Sequence, residues 1–113
     1  MKKKIEKDHT ALLIIDLQKG EYNAKIIREK PSDKYIWDRI KNIVIPNGTK
    51  LIHACRKNKI EVIYTVIESL TKDGRDSGLD YKISGMCVPK GSIDAEVIDE
   101  LKPLNNEIII PKT

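Results

Sequence analysis

Three short, continuous apolar runs constrain this chain more than any other feature: Ala11-Leu12-Leu13-Ile14-Ile15, Val62-Ile63-Tyr64-Thr65-Val66-Ile67 and Ile108-Ile109-Ile110. A strand with one wet face alternates apolar and polar residues, whereas a strand covered on both faces by helices reads as continuously apolar. Helical patterns separate the runs. Ile36, Ile40, Ile43 and Val44 follow helical spacing over Lys34 to Val44. A second helix is expected from Pro46, placed for a first turn, with Leu51, Ile52 and Cys55 on one stripe and Asn58 closing it. Before the third run, Ser92 is placed to cap a helix that turns Val97, Ile98 and Leu101 inward, with Asp94 in its first turn and Pro103 beyond its end.

Strand, helix, strand, helix, strand implies parallel pairing through right-handed crossovers, hence an α/β, Rossmann-like three-layer αβα fold. With 113 residues the chain holds one domain and one modest core. The absence of Phe and the abundance of Ile make that core aliphatic and β-branched. Glu68 to Gly91 lacks periodicity, and a connection of that length is expected to be a lid or binding loop, anchored by Leu79, Tyr81, Ile83, Met86 and Val88.

A net charge of +4 does not mark a nucleic-acid binder, because the lysines are interleaved with Asp and Glu along the chain. No apolar run is long enough to span a membrane, and Asp16 interrupts the first. Cys55 and Cys87 lie outside any ligand spacing, which fits a reducing, cytoplasmic setting better than a disulfide-stapled secreted one. Cys55, on an apolar helical stripe, reads as a packed thiol. Cys87, in the loop, has no neighbouring His or helix start to lower its pKa. His9 reads as a strand-flanking residue and His53 as a helix-surface residue, so no metal site is expected.

Ligands of parallel α/β sheets gather beyond the carboxyl ends of the strands. Strand one ends in Asp16-Leu17-Gln18, strand two runs into Glu68-Ser69, and strand three into Pro111-Lys112. Each polar residue alone could simply mark where a strand reaches water. Jointly they would converge on one edge, where an aspartate can act as general base and a lysine can hold an anion or a developing oxyanion.

The wording of these segments carries a resemblance. His9 to Gln18, with D-x-Q after an apolar strand, is similar to the opening strand of the isochorismatase-like cysteine hydrolases, and Val44-Ile45-Pro46-Asn47, Val62-Ile63-Tyr64-Thr65 and Ile110-Pro111-Lys112-Thr113 resemble the same family in the same order. Glu68 to Asp76, continuing to Val88-Pro89-Lys90-Gly91-Ser92, resembles the ureidoacrylate-type amidohydrolase branch. The resemblance implies an Asp-Lys-Cys triad with Asp16 as base and Lys112 as the group that steadies the thiolate. It also implies Gln18, Tyr22 and Glu68 as substrate contacts, a small amide, ureido or related carbonyl substrate, and no cofactor.

Family members run well beyond this length, and their cysteine opens a helix after the fourth strand. The chain therefore matches roughly the first three strands of a six-stranded fold. The resemblance implies that it is inactive alone and acts with a complementing C-terminal segment carrying the Cys, within a homo-oligomer. A receiver-like or other flavodoxin-like binding module is the alternative, since such domains also place Asp and Lys at strand ends. It is the weaker reading: Leu17 follows Asp16 where a receiver pairs acids, and no second strand ends in Asp. A truncated protein with a binding role of its own is a third, because a short sheet leaves an edge open to another chain.

Overall fold

The computed structural model describes residues 2–20 and 31–113, with side chains from 33 onward in the second stretch. The three apolar runs form the strands β1 (Ala11–Ile15), β2 (Glu61–Ile67) and β3 (Ile108–Lys112). They pair in parallel in the order β1-β2-β3, with Ile14 beside Tyr64 and Ile67 beside Lys112. The described residues thus form the expected α/β arrangement around a parallel sheet.

Alternation along the strands sorts the side chains onto two faces. Leu12, Ile14, Val62, Tyr64 and Val66 point to one face and join Ile40, Ile45, Ile52, Val97, Ile98 and Leu101 in a single hydrophobic core, aliphatic apart from Tyr64. Leu13, Ile15, Ile63, Ile67, Ile108 and Ile110 point to the other. Coverage of both faces was expected, but here Leu13 and Ile15 stay 49% and 57% exposed, and Ile108 and Ile110 are exposed as well. An aliphatic sheet face of this extent is unusual for a surface in water.

The two helices expected between β1 and β2 are one continuous helical segment: α1 (Pro31–Arg39), a π turn over Ile40–Val44, and α2 (Ile45–Lys57). Pro46 explains the π turn. Proline offers no N–H to the carbonyl four residues back, so the chain widens just before it and the Ile45 N–H reaches the Ile40 carbonyl. This inserted residue resets the apolar stripe. Ile40 and Ile45 are buried in succession with Ile52, while Ile36, Ile43, Val44 and Leu51, assigned inward by strict 3.6 periodicity, lie exposed.

The helix expected from Ser92 is replaced by two short 3₁₀ turns, Ile93–Ala95 and Asp99–Leu101. Its main-chain groups are taken by the segment after β1: Lys19 N–H donates to the Glu96 carbonyl at 2.9 Å, Ile98 N–H to the Leu17 carbonyl at 3.0 Å, and Gln18 and Val97 form an antiparallel bridge. Glu96 and Ile98 are held extended by this pairing. Val97, Ile98 and Leu101 are buried all the same. Gly20 belongs to this contact, since a Cβ there would stand 2.8 Å from the Asp94 Cβ.

The long connection after β2 carries a short helix, α3 (Leu79–Ser84). Of its expected anchors only Val88 is buried, while Leu79, Ile83 and Met86 face outward. Polar groups hold it instead. The Asp76 carboxylate accepts from the Leu70 N–H at 2.7 Å, the Thr71 N–H at 3.1 Å and the Thr71 hydroxyl. Ser69 N–H donates to the Val88 carbonyl, and Gly78 N–H to the Thr113 carbonyl, both at 2.8 Å. The Thr71 hydroxyl, then the Leu70 N–H, keep the Asp76 carboxyl below its ordinary value.

Candidate active site

Asp16 is the first residue past β1 and turns the chain with φ of 54°, a left-handed conformation that costs a non-glycine residue about 1–3 kcal/mol. Its N–H donates to the Thr65 carbonyl at 3.0 Å, which prolongs the β1–β2 ladder by one bond. Its carboxylate is fixed at both oxygens. Oδ1 accepts from the Thr65 hydroxyl at 2.8 Å, and Oδ2 from the Lys112 ammonium at 2.5 Å. Lys112 closes β3, in register with Ile67 at the end of β2. Thr65, Ile67 and Lys112 therefore share one face, and the Asp16–Lys112 pair sits at the carboxyl edge of the sheet beside the exposed aliphatic surface.

The pair is half-open to water, with side-chain exposures of 25% for Asp16 and 42% for Lys112. A carboxylate in this setting can take a proton, and the adjacent ammonium favours anionic groups brought beside it. Thr65 is the partner that sequence reading passed over. The signal available in the sequence is a small hydroxyl residue inside an otherwise hydrophobic run, Val62 to Ile67.

The other expected site residues are distributed differently. Gln18 is completely enclosed. Its amide donates to the carbonyls of Ile67 at 2.9 Å and Asp94 at 3.0 Å, and its Oε1 accepts from the Ile67 N–H at 2.7 Å. All these groups face main chain, so Gln18 ties the end of β2 to the 3₁₀ segment. Glu68 follows β2 with its N–H on the Lys112 carbonyl at 3.1 Å, but its carboxylate accepts from the Gly91 N–H at 2.9 Å. There it borders a cavity of about 470 Å³ on the helix-covered side, with Lys19, Ser92, Glu96, Asp99 and Lys102 among its walls and neither Asp16 nor Lys112. In that wall Lys19 is held above its ordinary pKa, chiefly by its hydrogen bond to Glu96 and then by Asp99. Tyr22 lies outside the described residues.

Cys87 is exposed and Cys55 half-buried against the core, both as free thiols. His9 pairs with Glu6 at 2.9 Å, and His53 is exposed on α2. Among the described residues no group of three or more His, Cys, Asp or Glu is placed to hold a metal ion, and no helix is long and apolar enough to cross a membrane.

Comparison with solved structures places this geometry among known folds. A cysteine hydrolase from Pseudomonas syringae pv. phaseolicola 1448A superposes with a TM-score of 0.73 at 22% identity, over 96% of this chain and 48% of that one. An isochorismatase family protein from Desulfovibrio vulgaris subsp. vulgaris str. Hildenborough gives 0.61 at 21% identity, over 90% of this chain and 51% of its own. The chain thus spans about half the length of these solved structures. Curated protein sequences contain no match. The model of the isochorismatase domain matches residues 10–113, from the threonine before β1 through the lysine that meets Asp16, and the chain belongs to the isochorismatase family.

Proposed function

We propose that the protein is a hydrolase of small amide, ureido or related carbonyl compounds, in which Asp16 is the base and Lys112 its electrostatic partner. The Asp16–Lys112 contact across the carboxyl edge of the sheet carries this reading. A cysteine thiol brought beside the pair would pass its proton to Asp16 as its sulfur bonds to the substrate carbonyl carbon. Collapse of the tetrahedral intermediate breaks the carbon–nitrogen bond, and the amine leaves with the proton from Asp16. Water then cleaves the thioester, giving the carboxylic acid and restoring the thiol. Lys112 stabilises the thiolate as it forms before attack and again as it is released from the thioester.

The thiol is proposed to come from a complementing C-terminal segment rather than from Cys55 or Cys87. The open aliphatic face beside Asp16 and Lys112 is the surface offered to that segment, and solved relatives of twice the length support the assignment. The similarity of Glu68 to Ser92 to ureidoacrylate-type amidohydrolases favours ureido substrates. Glu68 is proposed as a wall of the substrate pocket and Tyr22 as its apolar flank, while Gln18 contributes by tying the end of β2 to the main chain at Asp94. A cytoplasmic homo-oligomer is proposed as the working form, with Ile36, Ile43, Val44 and Leu51 exposed along the helical segment as its contact surface.

A panel of small amides and ureides assayed for ammonia or amine release tests the activity. A denaturing mass measurement of the purified protein tests for the second polypeptide. Hydrolysis of at least one ureide or amide, lost in Asp16→Asn, is expected; a panel left untouched by protein whose second polypeptide is present overturns the reading.

A further inference from the structure

We infer that Thr65 is the positioning residue of the Asp16 carboxylate, fixing which of its oxygens faces Lys112 and an incoming proton. The inference deepens the hydrolase reading and rests on it for its catalytic meaning, though the geometry can be measured without any substrate.

The backbone of Asp16 does not by itself fix its carboxylate. The residue stands past the last paired residue of β1, in a left-handed conformation, with a side chain one quarter exposed. Lys112 cannot orient it alone, because an ammonium on a flexible four-carbon stem satisfies either carboxylate oxygen. Thr65 can. It is β-branched and sits inside β2, where χ1 has few choices, and it lies in register with Ile15, the residue before Asp16.

Two bonds join the same two residues. The Thr65 carbonyl accepts the Asp16 N–H at 3.0 Å and the Thr65 hydroxyl donates to Oδ1 at 2.8 Å. Together they clamp both ends of the aspartate, and Oδ2 is left to Lys112 at 2.5 Å. The hydroxyl is neutral, so it orients the carboxylate without competing with Lys112 for its charge.

Thr65→Val removes the hydroxyl at nearly constant shape, and Thr65→Ser keeps it while removing the methyl. Three-bond couplings from the Asp16 carboxyl carbon to its own amide nitrogen and carbonyl carbon report the side-chain rotamer by NMR. One rotamer is expected in the wild type and in Thr65→Ser, and averaged couplings in Thr65→Val. In turnover, Thr65→Val should lower kcat by about 10–100-fold at nearly constant KM, with Thr65→Ser restoring most of it, since small misplacements of reacting groups cost rates of this order.

A Thr65→Val protein with wild-type couplings overturns the inference, as does wild-type kcat in Thr65→Val while Asp16→Asn is inactive. If Asp16→Asn itself retains full turnover, the assignment of Asp16 as the base fails and the couplings still decide whether Thr65 orients it. Should Thr65→Val fail to fold, loss of the single rotamer in Thr65→Ser would count against the hydroxyl as the orienting group.

Discussion

Lys112 and Asp16 are 96 positions apart in the chain and meet with the ammonium 2.5 Å from the carboxylate. Two features of the fold produce that meeting. Parallel pairing carries the carboxyl ends of β1 and β3 to the same edge, with β2 between them. The register then sets Ile67 beside Lys112 and Ile15 beside Thr65, so a long lysine side chain on the outer strand reaches across β2 to the residue that follows β1.

Gln18 should behave as a structural residue. Gln18→Ala removes the side-chain partner of the Ile67 N–H and carbonyl, and one of the two donors on the Asp94 carbonyl, in a fully enclosed site, a loss of about 2–4 kcal/mol. Gln18→Glu should be worse, because a carboxylate would face the carbonyls of Ile67 and Asp94. Urea unfolding of the two variants checks the order and the size of the effect.

Acid should weaken the fold through Glu107. Its carboxylate accepts from Arg56 at 2.6 Å and from the Leu104 N–H at 2.7 Å, with a side chain only 9% exposed. The Arg56 hydrogen bonds, foremost, hold its pKa below the ordinary 4.5. A depressed folded value means that the stabilisation is complete above pH 4.5 and fades as the pH falls through the lower, folded value. The Tm difference between wild type and Glu107→Gln should therefore be full at pH 7 and close in the acid range below 4.5. A difference that is constant with pH contradicts this.

The connection after β2 should depend on Asp76. Asp76→Ala frees the Leu70 and Thr71 N–H groups and the Thr71 hydroxyl at once, which should raise the rate of limited proteolysis between residues 70 and 88 while global Tm falls little. A large fall in Tm with no change in cleavage would mean that the carboxylate supports the core instead.

Cys55→Ala and Cys87→Ala should leave turnover largely intact, since the hydrogen-bond partners of the Asp16 carboxylate are Thr65 and Lys112 rather than either thiol. An inactive, folded Cys87→Ala protein would reassign the nucleophile to the loop.

Much of this architecture was legible in the chain because it rests on periodicity and strand ends. The unbroken runs at 11–15, 62–67 and 108–110 became the three parallel strands, and the polar residues that follow the first and last meet. What periodicity missed was set by backbone pairing between distant segments. Ser92 to Leu101 has a fair helical pattern, yet Leu17 to Lys19 takes its main-chain groups and holds it extended. Pro46 opens α2 as the sequence suggests, but a π turn directly before it joins α1 to α2 and shifts the buried stripe from Ile43 and Val44 to Ile45. Gln18 and Glu68 lie at the expected edge, but one strand position decides which face a side chain meets. Thr65 went unread because its partner, Asp16, is brought to it only by the β1–β2 register.

The most direct test of the account is a double-mutant cycle on a small ureide or amide that the protein hydrolyses, using Asp16→Asn, Lys112→Ala and the double variant. If the two residues act as one unit, each single change should reduce kcat/KM by about 10²–10⁴-fold and the double change should add little, with folding nearly unchanged. Full kcat/KM in either folded single variant would contradict the assignment of this pair as the catalytic base and its partner.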